Sequence, residues 1–319
     1  MSGGDRPGPG AQPGNASLTA RAAGASVAVA LFLLLLKSYA AWATGSVAML
    51  GSLADTGLDL VASVITLYGV RLAAMPADWD HRFGHGKAEA LAALAQVVLI
   101  AVSAVAIFWR ALARLMDNQL TANAGEGIAV SLVAIVATLA LLVYQRRVIA
   151  RTGSVAIITD HVHYQSDLLL NLSVIAALAL EQYVGLGGAD AMFGIAIALW
   201  LAWGAWKASS RAIDQLMDKE WPEEKRRRFV EVAGRHPELR GLHDLRTRTS
   251  GSRDFVQFHV WMDPAMNIAA AHQVLDEVEA KLEKEFPGAE ILIHIDPVGQ
   301  VDHPGDPLAE TDLTAERNP

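Results

Sequence analysis

The chain has 319 residues, 52% of them hydrophobic, and a mean hydropathy of +0.28. This is too apolar for an ordinary soluble protein and indicates a membrane protein. The chain has no cysteine, which excludes disulfides and thiolate metal sites, so any transition metal must be held by His, Asp and Glu. The net charge of −8 does not indicate nucleic-acid binding, because the basic residues gather at the ends of apolar segments rather than on one face.

The amino terminus precedes a first apolar segment. Residues 1–20 are rich in Gly, Pro and Ala without hydrophobic periodicity, which predicts a disordered tail. The apolar segment from Ala23 to Ala43 follows. Arg21 before it and the small residues near its end would also fit a signal peptide, but the run is long for one and five further apolar segments follow. Lys37 inside it is expected to snorkel or pack near a helix end, with no chemical role.

Five more segments approach the ~20 apolar residues that a membrane span needs. They lie at residues 47–72, 88–115, 127–145, 155–180 and 188–206. With the first segment they predict an α-helical membrane protein whose six transmembrane helices occupy residues 21–212. Apart from Arg110 and Arg114, the Lys and Arg residues near the spans fall in alternate connections. The positive-inside rule then places both termini in the cytoplasm.

A soluble domain is predicted after the last span, over residues 213–300. Its predicted elements are a helix at 223–235, strands at 242–249 and 255–262 around a Ser-Gly-Ser turn, an amphipathic helix at 268–286 and a strand at 291–295. The order αββαβ is typical of a small α+β domain with its helices on one face of the sheet. Residues 301–319 are rich in Pro and acidic residues, which predicts a disordered C-terminal tail.

Ionisable residues occur as pairs inside two predicted spans. Asp55 and Asp59 are four residues apart, as are His163 and Asp167, so each pair shares a helix face. Two helices that each present two ligands can close a four-coordinate metal site. One His with three carboxylates suits Zn²⁺, and also Fe²⁺, Mn²⁺, Co²⁺ or Cd²⁺. A buried Asp can also serve helix packing, but two pairs with the same spacing favour the metal site.

The charge of this predicted site indicates a mechanism. Three carboxylates carry three negative charges, of which a divalent cation neutralises two. An empty site with three bare anions would be very unfavourable at membrane depth, so protons should replace the metal when it leaves. Competition between metal and protons is the chemistry of an antiporter. Asp160 and His161 lie off the His163 face or one turn nearer the cytoplasm, and are expected to line the cytoplasmic access path.

Two further groups of ligand-type residues lie outside the spans. Asp78, His81 and His85 are spaced to bind one metal, although a solvated Gly-containing loop could carry them for other reasons. The soluble domain contains His243, His259, His272, His294 and Asp296. So many histidines exceed what core packing explains, although His272 alone could be structural. His294 and Asp296 are two residues apart on a strand and therefore share a face.

These motifs resemble a known family. The two intramembrane pairs, the loop Phe83-Gly84-His85-Gly86-Lys87-Ala88-Glu89 and the segment Ile293-His294-Ile295-Asp296-Pro297 resemble the cation diffusion facilitators, most closely the bacterial ferrous-iron and zinc efflux branch. The resemblance covers about residues 20–298. It implies a homodimeric zinc/proton antiporter of the bacterial inner membrane, Y-shaped, with a metallochaperone-like cytoplasmic domain.

The resemblance also implies a role for each group. It makes Asp55, Asp59, His163 and Asp167 the transport site. It makes Asp78, His81 and His85 a loop site, and His243, His259, His272, His294 and Asp296 a site at the dimer interface. Lys87 and Asp218 match a salt bridge that locks the dimer near the membrane surface.

Other functions fit the sequence less well. An intramembrane metalloprotease would need a His-Glu-x-x-His helix, which does not occur, and no nucleotide-binding glycine loop indicates use of ATP. A membrane-anchored metal sensor would not need ligand pairs inside the spans. The sequence therefore predicts a non-enzymatic exporter of Zn²⁺, with Fe²⁺ and Cd²⁺ as further cargo and Mn²⁺ as the alternative main substrate. It is expected to lie in the bilayer as a homodimer and to bind protons, but neither an organic cofactor nor nucleic acid.

Overall fold

The computed structural model describes residues 13–44, 47–117, 128–184, 189–236, 239–300 and 312–313. The chain forms two compact units, which divide between Ile213 and Asp214. The first unit contains α1 (Pro13–Thr44), α2 (Val47–Ala73), α3 (Ala88–Asp117), α4 (Ile128–Thr152), α5 (Val155–Val184) and α6 (Ala189–Leu216).

The helices of this unit confirm the predicted six-helix membrane domain. In the described part of the chain, α1, α2, α3, α4 and α6 are long and apolar enough to cross a membrane. Helix α5 has 30 residues, which lies within the length range of the other five helices. Helices α4 and α6 continue past their predicted ends, because hydropathy marks where a membrane ends and not where helical hydrogen bonding ends.

The ends of the chain differ from the predicted tails. Helix α1 begins at Pro13, so residues 13–20 are helical rather than disordered. Proline is tolerated in a first turn, and a helix can begin in a segment without an apolar stripe. Residues 1–12, 301–311 and 314–319 lie outside the described residues. Leu313 contacts the core of the second unit, and its backbone N–H donates to the carbonyl O of Leu242 at 2.8 Å.

Close packing between α2 and α3 fixes the end of the membrane domain that carries the connecting loop. A Cβ added at Gly69 in α2 would lie 2.2 Å from the Cβ of Ala92 in α3. Further along, α3 packs against α6 through apolar residues that include Ile100 and Leu201. The glycine therefore permits an α2–α3 contact that a larger side chain would prevent.

The second unit has the predicted αββαβ order. It contains α7 (Glu223–Ala233), β1 (Arg240–Ser250), β2 (Arg253–Met262), α8 (Ile268–Glu285) and β3 (Ala289–Pro297). Strand β2 is central, antiparallel to β1 and parallel to β3. Phe258 and Val260 of β2 are buried in a core with residues of α7 and α8. Because side chains alternate along a strand, His259 faces the opposite side of the sheet.

Candidate metal centres

The first candidate centre lies between α2 and α5. Ligand atoms of Asp59, His163 and Asp167 all lie within 4.8 Å of one another. His163 Nε2 is 3.1 Å from Asp59 Oδ1 and 3.9 Å from Asp167 Oδ2. The His163 ring is buried, and its Nε2 makes no hydrogen bond. A buried nitrogen that faces two carboxylates without a hydrogen bond fits ligands arranged around a common cation position.

Asp55 does not belong to this group of three. Its side chain is exposed, one helical turn before Asp59. The structure therefore brings together three of the four predicted ligands. Beside Asp55, the Lys37 Nζ of α1 donates to Thr56 Oγ1 at 2.6 Å. Lys37 thus packs against a buried hydroxyl next to the ligand pair, which fits the packing alternative of the expectation rather than snorkelling.

Asp160 lies elsewhere than expected. It is fully buried and cannot line an access path. Its carboxylate accepts hydrogen bonds from Ser26 of α1, Gln96 of α3 and Gln145 of α4 at 2.6, 2.7 and 2.8 Å, respectively. His161 is half-buried, and its Nδ1 lies 3.1 Å from Gln145 Oε1. The residue pattern along α5 could not indicate these partners, because they come from three other helices.

Glu89, which ends the loop motif, also has a role that the sequence analysis did not identify. It is buried in the first turn of α3, where it accepts hydrogen bonds from the Ser154 hydroxyl and from the backbone N–H of Ala156, the latter at 3.4 Å. Ser154 Oγ in turn accepts from the N–H of Ile157 at 3.2 Å, as an N-cap does. A carboxylate is favourable at a helix N-terminus. Glu89 thus ties the start of α3 to the start of α5.

The second candidate centre is in the loop between α2 and α3. Asp78 Oδ1 lies 3.3 Å from His81 Nδ1, and Asp78 Oδ2 lies 3.4 Å from His85 Nε2. Gly84 has a φ of +80°, which allows the chain to turn between the two histidines. The backbone N–H of His81 donates to the Asp78 carboxylate. This hydrogen bond is the main reason that the pKa of Asp78 lies below its ordinary value. The loop therefore presents an ionised carboxylate beside two imidazoles.

The predicted Lys87–Asp218 salt bridge links residues that belong to different units. Lys87 precedes α3, whereas Asp218 follows α6. Within the second unit, Asp218 Oδ1 is 3.5 Å from Nη1 of Arg248. The inter-subunit pair stays a prediction for the homodimer.

The third candidate centre lies on the face of the sheet opposite α7 and α8. His243, His259 and His294 are register partners across β1, β2 and β3 and form one row. Asp296 is buried beside them, with its Oδ2 2.9 Å from His259 Nδ1 and 3.3 Å from His243 Nε2. Its Oδ1 is 3.4 Å from His294 Nε2. The strands thus gather four of the five predicted residues.

The orientation of His243 suits metal binding. Its Nδ1 donates to the carbonyl O of Gly241 at 2.7 Å, which leaves Nε2 with a lone pair. That Nε2 is buried and makes no hydrogen bond. His272 lies apart on α8, where its ring is 75% exposed and 3.9 Å from Asp276 Oδ2. Its place in the same site stays a prediction that requires another ion or the partner subunit.

Comparisons with known proteins agree with these observations. A family model described as the cation efflux transmembrane domain matches residues 24–217, and one described as the cytoplasmic domain of cation efflux proteins matches residues 221–298. The cation-efflux pump FieF of Pectobacterium atrosepticum is 44% identical over 290 residues, which cover 91% of this chain and 96% of that protein. The FieF pump of Klebsiella pneumoniae is 41% identical over 280 residues, 88% of this chain and 93% of that one.

One solved structure matches the soluble part. It is described as "Mode of Action of a Putative Zinc Transporter CzrB" and is 32% identical, with a TM-score of 0.24. The match covers 25% of this chain and 99% of that one. At this TM-score it supports no structural conclusion.

Proposed function

The chain belongs to the cation efflux family, and on that premise we propose that it exports Zn²⁺ from the cytoplasm in exchange for protons. A member of this family is a membrane transporter and not an enzyme. The observation that carries the proposal is the cluster of Asp59, His163 and Asp167 on two membrane helices. Ionisable residues at membrane depth are energetically unfavourable and rare, and their presence marks an ion pathway by default.

The donor set favours zinc as the cargo. An imidazole nitrogen with carboxylate oxygens suits this borderline cation, and His163 holds its Nε2 toward both carboxylates. Asp55 is the fourth ligand in this proposal, because it precedes Asp59 by one helical turn on the same helix face. Fe²⁺ and Cd²⁺ fit the same donors and are further candidates for export.

Exchange for protons follows from the charge of the site. Three carboxylates and one imidazole bind a divalent cation well, but the three carboxylates would repel one another when the cation leaves. Protons that bind in its place restore the charge balance. The site that has released its metal can then face the cytoplasm again. An inward proton gradient would thereby drive the export of metal.

In this proposal the protein is a homodimer in the bacterial inner membrane, with both termini in the cytoplasm. The distribution of Lys and Arg among the connections supports this orientation. In the row of His243, His259 and His294, His243 is buried, whereas His294 on the edge strand β3 is exposed. A metal bound there can couple two protomers, because binding free energy then adds to association free energy.

A membrane-anchored metal sensor is the second candidate, favoured by the metal-type clusters outside the spans. The deciding experiment measures flux of several divalent metals into proteoliposomes that contain only this protein, with and without a pH gradient. The proposal expects zinc flux that rises with an opposing proton gradient. Metal binding without flux would support the sensor, and faster Mn²⁺ than Zn²⁺ flux would change the assigned cargo.

A further inference from the structure

The membrane domain contains a buried polar network that does not itself contact the metal position. Its centre is Asp160 of α5, which accepts from Ser26, Gln96 and Gln145 at 2.6–2.8 Å. Gln145 Nε2 also lies 3.1 Å from Ser26 Oγ. Each of these donors is a neutral group. Among the described residues, the partners that hold this carboxylate are therefore hydrogen-bond donors on α1, α3 and α4. A fully buried carboxylate with three such partners is unusual enough to require an explanation.

Tyr164 extends the network to α2. It follows Asp160 by one helical turn and donates through its hydroxyl to the carbonyl O of Ser26 at 3.0 Å. The Ser63 hydroxyl of α2 lies 2.8 Å from the same Tyr164 oxygen. Ser63 is one turn from Asp59, and Tyr164 directly follows His163. The polar contact that joins α2 to α5 is therefore adjacent to the metal ligands that meet across the same helix pair.

We propose that Asp160 is a positioning residue for metal binding, which fixes the rotation and depth of α5 and so holds His163 against Asp59. The proposal rests on the proposed function of the Asp59–His163–Asp167 cluster. Lipid is as apolar as a leucine side chain, so apolar packing alone selects the rotation of a membrane helix weakly. Hydrogen bonds on one face of α5 therefore decide where its other faces point.

Helix geometry shows how sensitive the metal site is to a rotation of α5. Asp160 and Tyr164 share one face of α5, and His163 and Asp167 share a face about 60° away. A rotation of α5 by about 20° would move an atom about 8 Å from its axis by roughly 3 Å. Zinc–ligand distances are about 2.0–2.2 Å, so such a rotation would break the site. Anchoring the Asp160 face prevents it.

The test uses the full-length protein in proteoliposomes and begins with Asp160→Asn. This change keeps the side-chain volume but removes the negative charge that strengthens all three accepted hydrogen bonds, and it turns one of the two acceptor oxygens into a donor. We expect the KM for zinc to rise about tenfold, as for loss of an oriented group near a metal. We also expect the ratio of zinc to manganese flux to fall, because a loosened α5 no longer imposes tetrahedral geometry. A purely structural role would reduce the amount of active protein and leave both quantities unchanged.

The double variant Asp160→Asn with Gln145→Glu provides the rescue. The new amide on α5 then donates to the new carboxylate on α4, the oxygen on α5 still accepts from Gln96, and His161 can donate to the carboxylate. Total charge and volume stay the same. We expect the zinc KM and the metal ratio to return to within about twofold of wild type, as expected when a broken interaction is restored.

Controls separate the possible outcomes. Ser173→Ala removes an α5 hydroxyl that bonds the carbonyl O of Leu170 in its own helix at 2.8 Å, and should change neither quantity. If Asp160→Asn is not monodisperse, the milder Ser26→Ala should still lower the metal ratio. A wild-type KM and ratio in Asp160→Asn, or in a monodisperse Ser26→Ala, would overturn the proposal, as would a folded double variant without recovery. Full zinc flux in Asp167→Ala would instead overturn the proposed transport site itself.

Discussion

Replacing Asp59 by Asn tests the intramembrane cluster directly. The change keeps the shape of the side chain but removes the charge of the carboxylate that lies 3.1 Å from His163 Nε2. Four protein ligands contribute roughly 10–16 kcal/mol to zinc binding in small zinc domains, or about 3 kcal/mol per ligand. That corresponds to a roughly 100-fold weaker site. We therefore expect the KM for zinc to rise by about two orders of magnitude.

The assay is zinc entry into proteoliposomes that contain a zinc-sensing dye, measured over a wide range of zinc concentration. Size-exclusion chromatography of the purified variant checks that it keeps the wild-type assembly. Asp80→Asn is the matched control, because it makes the same chemical change at an exposed loop carboxylate outside the three clusters. Its flux should equal that of wild type.

A KM within about threefold of wild type in Asp59→Asn would refute the reasoning, since one lost ligand should change affinity far more. Asp55→Ala in the same assay decides whether the exposed Asp55 completes the site. Loss of flux supports four protein ligands. Near-normal flux would show that three protein ligands are sufficient and that Asp55 is not one of them.

Three further changes test neighbouring parts of the proposal. His163→Asp replaces the nitrogen ligand by a carboxylate, and the zinc-to-manganese flux ratio should fall several-fold with an altered pH profile; identical ratios and profiles would show that His163 sets neither property. Lys37→Met removes the ammonium that donates to Thr56 beside the ligand pair of α2, and a nearby positive charge disfavours a cation, so metal should bind more tightly and leave more slowly, with KM and maximal flux both lowered a few-fold. Lys37→Arg should behave as wild type, and an unchanged or raised KM in Lys37→Met would contradict this role. In a fragment of residues 220–301, zinc at a hundred times its Kd should raise the Tm by roughly 10–20 °C, and Asp296→Ala should lose most of that shift. A fragment whose mass and Tm do not respond to zinc would show that the sheet does not form this site.

The three candidate centres differ in ways that suit different roles. Asp59, His163 and Asp167 are partly buried inside the membrane domain, where a bound ion must give up its water. Asp78 and His81 are exposed on a loop and can exchange metal with solvent. The soluble cluster has a buried Asp296 and an outer, exposed His294, which suits a site completed from outside the protomer.

Much of the architecture follows from the sequence because its signals are local. Apolar runs identify the membrane helices, and the alternation of β2 with the Ser-Gly-Ser turn identifies the hairpin. The spacing of four in Asp55/Asp59 and His163/Asp167 identifies the ligand face of each helix. The sequence did not predict the helical start at Pro13, because residues 13–20 carry no apolar stripe that would indicate a helix.

The partners of Asp160 and Glu89 could not be predicted in this way. A carboxylate in an apolar helix indicates that it must be satisfied, but the groups that satisfy it depend on which helices are neighbours. Gln96 and Gln145 lie on α3 and α4, and Ser154 lies at the start of α5, far along the chain from Glu89. These contacts exist only after the bundle has assembled.

The row of three histidines shows most clearly which features the sequence determines and which the tertiary structure determines. The sequence by itself determined that His243, His259 and His294 lie on strands, because alternation along a strand is a property of neighbouring residues. Only the tertiary structure decided that they stand side by side. Their alignment depends on register, and β1 has irregular pairing on both sides of His243, with positive φ at Gly241 and Asp244. A slip of one residue would turn a strand's side chains to the other face, so the buried core under the sheet selects the register that assembles the site.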